Sequence, residues 1–483
     1  MNPERPLAIG LDMGTGGARA AAADLAGAVM AAGRADLPAD ASRTDGNRVE
    51  QDPRAWTNAA VTALRQVASA LPPKTRIAGI AVDATSGTFL LADEAGAPLT
   101  PGLMYNDLRA TEQAPRAAEA IDPVLRPYGI SIAAAFALPK IIHLAETQPR
   151  VFARCRRLIH QTDWIVGTLC GRYDVTDIST ALKTGADPGQ LAWPDAIESR
   201  LGVPLAILPR IVLPGTRIGE LTAEAARQTG LPAGTPVIAG CTDGTAGALA
   251  SGASAAGDLN VTLGTTLVFK AVADAPLLDP AGAIYNHRHP AGGYLPGAAS
   301  TTGGEWVAAT TEGHDLAALG REAATMLPTH RLAYPLVKRG ERFPFTCPQA
   351  VGFGLDEIES PAERFAAGME GVAYLERMSI DRFEQLGLRI GDTIYATGGG
   401  TYGETWLRIR ASATGRCLAV PELPECSIGA AVLAASDEFG GVGEAIRAMV
   451  RIARRIEPDR GLAKAYEENC GRFREELERR GYL

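Results

Sequence analysis

Two strand–turn–strand segments that turn on the same dipeptide constrain this chain more than any other feature. The first, IGLDMGTGGARAAA from Ile9, turns at Gly14-Thr15; the second, NVTLGTTLVFKA from Asn260, turns at Gly264-Thr265. Apolar runs on either side of a glycine-containing turn read as hairpins. Their recurrence suggests two halves, each opening with a hairpin. Length agrees, because 483 residues exceed one ordinary core and suit two domains of about 200–250 residues. We place the division between 248 and 249, giving 1–248 and 249–483. No low-complexity linker separates the halves, so they are expected to share a tight ligand cleft.

The remaining pattern is a mixture of strands and helices. The spacing of Trp56, Ala60, Leu64 and Val67 predicts a helix over 53–70. Strands are expected at 77–83, 88–92 and 236–241, and a small-residue helix from Thr245 to Ser251. Residues 139–170 read as helices broken near Gln148-Pro149. A strand at 393–397 precedes a helix over about 402–414, and the charged tail 440–480 reads as amphipathic helix.

Composition excludes some functions. A net charge of −8 argues against nucleic acid or an anionic membrane as partner. The N-terminus has no apolar run behind a basic start, and no 18-residue apolar stretch predicts a membrane span. Seven scattered cysteines without a CxxC fit reduced thiols and a cytoplasmic setting. His287 and His289 form an HxH with no third ligand nearby, which fits a loop or packing role better than a metal site.

Four segments can carry chemistry. In LDMGTGGAR, Asp12 stands at a strand end beside Gly14, Thr15, Gly16 and Gly17. Backbone amides and a hydroxyl can cradle phosphate there, and Asp12 can hold Mg²⁺ through water; a plain hairpin with Asp12 as turn former is the alternative. In GCTDGTAG, Asp243 follows a buried strand and is either a helix N-cap or a general base. Gly264-Thr265 is a second phosphate turn or a plain hairpin. Residues 398–403 satisfy G-x-G-x-x-G, with Glu422 about 20 residues on, as in a dinucleotide site. That motif comes too late for a full dinucleotide domain, and it leaves both Gly-Thr turns unexplained. Such a turn also lets an adenosine lie on the backbone. No GxxxxGK[ST] and no HRD or DFG element is present.

Taken in order, these segments resemble the FGGY family of carbohydrate kinases, over nearly the whole chain. LDMGTGGAR resembles the first phosphate motif. FALPKIIHLAETQP followed by HQTDWIVGTLCGRYDVTDIST resembles the first signature region. GCTDGTAGALASG with VTLGTTLVF resembles the catalytic aspartate and second phosphate segment. ATGGGTYGETWLRIRASATGRCLAVPELPECSIGAAVLA resembles the adenosine signature. VDATSGTFLL, LMYNDLRA, AIYNHR and GAASTTGGEW are most similar to pentulose kinases, the D-ribulokinase branch in particular.

The resemblance implies an α/β, two-domain actin-like or hexokinase-like ATPase fold, a duplicated ribonuclease H-like motif around an interdomain cleft. It implies Mg²⁺ and ATP as cofactors and a small sugar as partner, with no nucleic acid or membrane. A homodimer is compatible with the sequence, which does not fix the assembly. Asp12 would anchor Mg²⁺ and face the sugar, and Gly14, Thr15, Gly16 and Gly17 the phosphates. Thr85, Ser86 and Asp107 would sit by the sugar, with Asp243 as its base. Gly264 and Thr265 would bind phosphate, and Gly398, Gly399 and Gly400 would face the adenosine. Xylulokinases and glycerol kinases carry bulky polar pairs where this chain has Thr85-Ser86. D-ribulose is therefore the expected acceptor, with D-xylulose or another small ketose or polyol as alternative. A non-catalytic nucleotide-gated protein on the same fold is the alternative of a different class.

Overall fold

The computed structural model describes residues 6–483, which fall into two compact units. Unit 1 runs to Ala250 and takes in 287–293 and 423–451; unit 2 holds 251–286, 294–422 and 452–483. A single cut between 248 and 249 would give those two later segments to the second half.

Unit 1 is built on a six-stranded sheet. Its strands are β1 (Leu7–Gly14), β2 (Gly17–Asp24), β3 (Val29–Asp36), β4 (Ile77–Ala84), β5 (Arg217–Glu220) and β6 (Pro236–Thr242), in the order β5-β6-β4-β1-β2-β3. β1 turns back antiparallel into β2 at Thr15-Gly16 and runs parallel to β4. β4 is in turn parallel to β6, which has antiparallel β5 at its edge. β1 and β4 are buried along almost their whole length, as strands covered on both faces must be.

The helix Cys426–Ala434 covers one face of this sheet, and its residues SIGAAVLA are buried throughout. A helix that is apolar all round needs a partner on every side, which accounts for its place in unit 1. The approach is as close as backbones allow. A Cβ on Gly10 would lie 1.8 Å from Ser427 O, and one on Gly429 would lie 1.9 Å from Ala246 O.

Unit 2 repeats the plan. Its strands are β7 (Leu259–Leu263), β8 (Leu267–Ala271), β9 (Tyr285–Arg288), β10 (Tyr294–Ala299), β11 (Thr393–Thr397), β12 (Cys417–Pro421) and β13 (Ile452–Ile456), in the order β9-β10-β8-β7-β11-β12-β13. β7 turns antiparallel into β8 and is parallel to β11; β11 is parallel to β12, with antiparallel β13 at the edge. These relations reproduce those of β1, β2, β4, β6 and β5 one for one. The chain therefore has the two-domain actin-like, hexokinase-like fold, and the echo between the Gly-Thr hairpins is a true structural repeat.

Two local expectations change. The tail is not continuous helix: β13 interrupts it between the helices Val442–Met449 and Arg460–Arg479. IARRI is only five residues of two-residue period, too short to stand out between helical patterns. Likewise Arg157–His160 is a strand between two helices, pairing with Phe89–Ala92.

Candidate active site

Parallel strands end together, and what stands at their carboxyl ends is brought into one place. Asp12 of β1 lies opposite Asp83 of β4, and Asp83 opposite Cys241 of β6, two residues before Asp243. Asp12 is 8% exposed, with Arg19 Nη1 3.3 Å from its Oδ2 across the hairpin. Burial raises the Asp12 carboxyl above its ordinary range, against the pull of Arg19. Asp83 is wholly buried, and neither of its oxygens has a donor among the described residues. Burial above all, then the carboxylates of Asp12 and Asp243, push it well above the ordinary range.

Asp83 did not emerge from the sequence as a site residue, because it closes a strand read only for its apolar residues. The available signal was the match of IAVD to IGLD, an acid ending each of two buried strands. Unit 2 shows that the fold does not demand this pair. Thr262 and Thr397 occupy the corresponding register and share a hydroxyl–hydroxyl bond of 2.8 Å.

The helix expected from Thr245 begins at Asp243 and runs to Ser251. Asp243 is half-buried, and its Oδ1 accepts from Gly244 N at 2.6 Å. Its charge also raises the thiols of Cys241 and Cys426, after the larger effect of burial, which marks it as a member of the same cluster.

The loop after β4 carries Thr85 and Ser86. Gln161 Oε1 accepts from Thr85 N at 3.3 Å and from Thr85 Oγ1 at 2.6 Å. Ser86 Oγ is buried without a partner among the described residues, and Ser86 O accepts from Lys183 Nζ at 3.2 Å. Lys140 is fully buried and donates to Gly87 O at 3.0 Å and Met104 O at 2.7 Å, tying this loop to the next. Burial lowers the Lys140 ammonium to about 7. Asp107 lies on that next loop but spends its carboxylate internally. Oδ1 accepts from Arg109 Nε at 2.9 Å, and Oδ2 accepts from Val49 N and from Arg109 Nη2, both at 2.7 Å. Burial opposes its charge, but these bonds outweigh burial and hold the carboxyl below its ordinary range. Gln161, Lys140 and Lys183 thus join the predicted Thr85 and Ser86, while Asp107 serves Arg109, which also reaches Glu50 at 2.6 Å.

In unit 2 a cavity of about 910 Å³ is lined by Gly264, Thr265, Gly399, Gly400 and Trp406 among others. Gly398 makes its floor possible: φ is 85°, and a Cβ there would lie 2.5 Å from Leu263 O. A Cβ on Gly399 would meet nothing within 4 Å, so this backbone faces open space. Tyr402, 89% exposed, and Leu316, 47% exposed, both line the cavity. The G-x-G-x-x-G turn follows β11 of a mixed sheet with antiparallel β8 and β10, unlike the open parallel sheet of a dinucleotide domain.

Among the described residues no three His, Cys, Asp or Glu side chains form a metal cage. Asp12 and the unpartnered oxygens of Asp83 are hard donors that suit Mg²⁺, which takes few protein ligands and keeps water and phosphate for the rest. No helix of the described residues is long and apolar enough to cross a membrane.

Known proteins resemble this chain in sequence and fold. Residues 7–250 match the N-terminal domain of the FGGY family of carbohydrate kinases, and residues 259–437 match its C-terminal domain. A xylulose kinase of Streptomyces rubiginosus is 29% identical over 443 residues, spanning 89% of this chain and 88% of that one. An autoinducer-2 kinase of Salmonella typhimurium is 26% identical over 491 residues, spanning 95% and 91%. A solved structure from Brucella ovis, described as a xyloylose kinase, superposes with a TM-score of 0.86 at 27% identity, covering 97% and 98%.

Proposed function

Because the chain belongs to the FGGY family of carbohydrate kinases, we propose that it transfers the γ-phosphate of ATP to a primary hydroxyl of a ketopentose, with Asp243 as general base. The observation that carries this reading is the acidic cluster at the ends of β1, β4 and β6. Asp83 is wholly buried there, and Asp12 is nearly so and is the residue assigned to Mg²⁺. That leaves the half-buried Asp243 as the carboxylate able to take a proton from an attacking hydroxyl.

Phosphoryl transfer asks mainly for positioning and for neutralisation of charge. Bound Mg²⁺ would supply charge neutralisation at the phosphate oxygens, and Asp12 is the residue to hold it. In unit 1 the turn Gly14, Thr15, Gly16 and Gly17 offers amides and a hydroxyl to phosphate. In unit 2 Gly264 and Thr265 do the same, and Gly398, Gly399 and Gly400 support the adenosine. Tyr402 is the aromatic group available to stack on the base.

On the sugar side the unpartnered Ser86 Oγ awaits a hydroxyl. Arg109, held by Asp107, and Lys183 supply cationic donors. The small Thr85-Ser86 pair supports D-ribulose as acceptor, whereas the names of the relatives above favour D-xylulose. ADP release measured with D-ribulose, D-xylulose, other ketoses, polyols and no sugar decides between them. Strong stimulation by one ketopentose supports the proposal. ADP release indifferent to every sugar contradicts it.

A further inference from the structure

The segment from Val175 to Thr184 is buried except at Lys183, yet the chemistry above draws only on that lysine. It is held from behind by His160, whose Nε2 meets Thr184 Oγ1 at 2.9 Å and whose Nδ1 meets Asp163 Oδ2 at 2.7 Å and Thr176 Oγ1 at 3.2 Å. Within the segment, Asp177 Oδ1 accepts from Ser179 N at 2.8 Å, Thr180 N at 3.1 Å and Ser179 Oγ at 2.5 Å. Ser179 Oγ in turn accepts from Thr242 N at 3.0 Å, across 63 residues of sequence. At the far end, Lys183 Nζ donates to Ser86 O.

One of these bonds has no local purpose. To cap the short helix at Ile178, Asp177 needs only the amides of Ser179 and Thr180. The Ser179 hydroxyl adds nothing to that cap. It uses its donor on Asp177 and its acceptor capacity on the amide that immediately precedes Asp243. All three groups are buried, so the Thr242 amide would be left without this partner in a dry site if the hydroxyl were removed.

We propose that Ser179 is a positioning residue. Its hydroxyl, oriented by Asp177, fixes the Thr242–Asp243 turn and so aims the Asp243 carboxylate at the acceptor hydroxyl. The same segment secures Ser86 through Lys183, so a single buried strap sets both the base and the sugar-facing loop. The proposal rests on Asp243 being the base.

The test is steady-state kinetics of the full-length protein carrying Ser179→Ala, Ser179→Thr, Asp243→Asn and the double change S179A/D243N. Expected for S179A is a kcat lowered about 10- to 100-fold, because a small misplacement of a catalytic group costs that much. KM for sugar and for ATP should stay within about 3-fold, since neither binding surface is touched. Ser179→Thr, which keeps the hydroxyl, should recover most of the loss. In the D243N background S179A should cost less than about 2-fold more, since it acts only through the residue already changed. If S179A does not fold, Asp177→Ala, which frees the hydroxyl to turn away, should show the same lowered kcat with unchanged KM. A folded S179A with unaltered kcat, or a threonine variant no better than alanine, overturns the positioning role alone. Wild-type turnover in D243N overturns the base assignment and this proposal with it.

Discussion

Asp12 and Asp83 face each other across two parallel strands, and no donor among the described residues offsets the contact at Asp83. Burying two carboxyls side by side is a liability for folding, since desolvation penalises each and their charges repel. Unit 2 meets the same register with Thr262 and Thr397. On the proposed function these acids serve the chemistry rather than the stability of the sheet. Asp83→Thr, which installs the residue type of the repeat, should leave the melting temperature unchanged or higher. It should lower turnover more than about 10-fold and raise the Mg²⁺ concentration needed for half-maximal rate. Thermal denaturation and a Mg²⁺ titration check both halves.

Tyr402 is 89% exposed, so its ring contributes little to folding. A large aromatic at the edge of an apolar cavity is available for a planar ligand, and stacking on a base is worth about 1–3 kcal/mol. Tyr402→Ala should raise KM for ATP about 5- to 50-fold while leaving kcat, sugar KM and melting temperature close to wild type. Kinetics with ATP as the varied substrate reads this directly.

Glu370 gives a pH signature confined to unit 2. It is fully buried, accepting from Thr329 N at 3.0 Å, Tyr466 Oη at 3.1 Å and also Thr329 Oγ1. Burial raises its carboxyl to about 7, from 4.5 in the unfolded chain. The folded state thus binds the proton more tightly. Between pH of about 4.5 and 7 stability falls as pH rises, by an amount on the order of 3 kcal/mol. Glu370→Gln keeps an acceptor and a donor without a titrating proton. The difference between wild-type and E370Q melting temperatures should therefore grow steadily across that window and level off above it.

Much of this architecture was legible from a few residues. Gly14-Thr15 and Gly264-Thr265 announced the repeat, because a hairpin flanked by buried strands leaves few sequences free. The G-x-G-x-x-G run from Gly398 announced a close turn after a strand, though not that Gly398 itself takes the positive φ. Helix Cys426–Ala434 was harder to assign, since SIGAAVLA has no polar face to show which sheet it covers. Asp83 was hidden by its apolar neighbours, and Gln161 and Lys140 by sitting on helices read for packing. Asp107 was legible as an acid near the sugar loop, but its commitment to Arg109 depends on side-chain directions that spacing does not carry. The Ser179–Thr242 bond joins positions 63 residues apart, and no local pattern marks such a pair.

The proposed function makes Asp243 the general base, and one comparison tests it most directly: sugar-dependent ADP release by wild type and by Asp243→Asn, with ATP affinity measured on both. The expected result is a kcat on the best ketopentose lowered about 10³-fold or more, the scale of a lost general base, with ATP binding within about 3-fold of wild type. An Asp243→Asn protein that phosphorylates the sugar at the wild-type rate would contradict it.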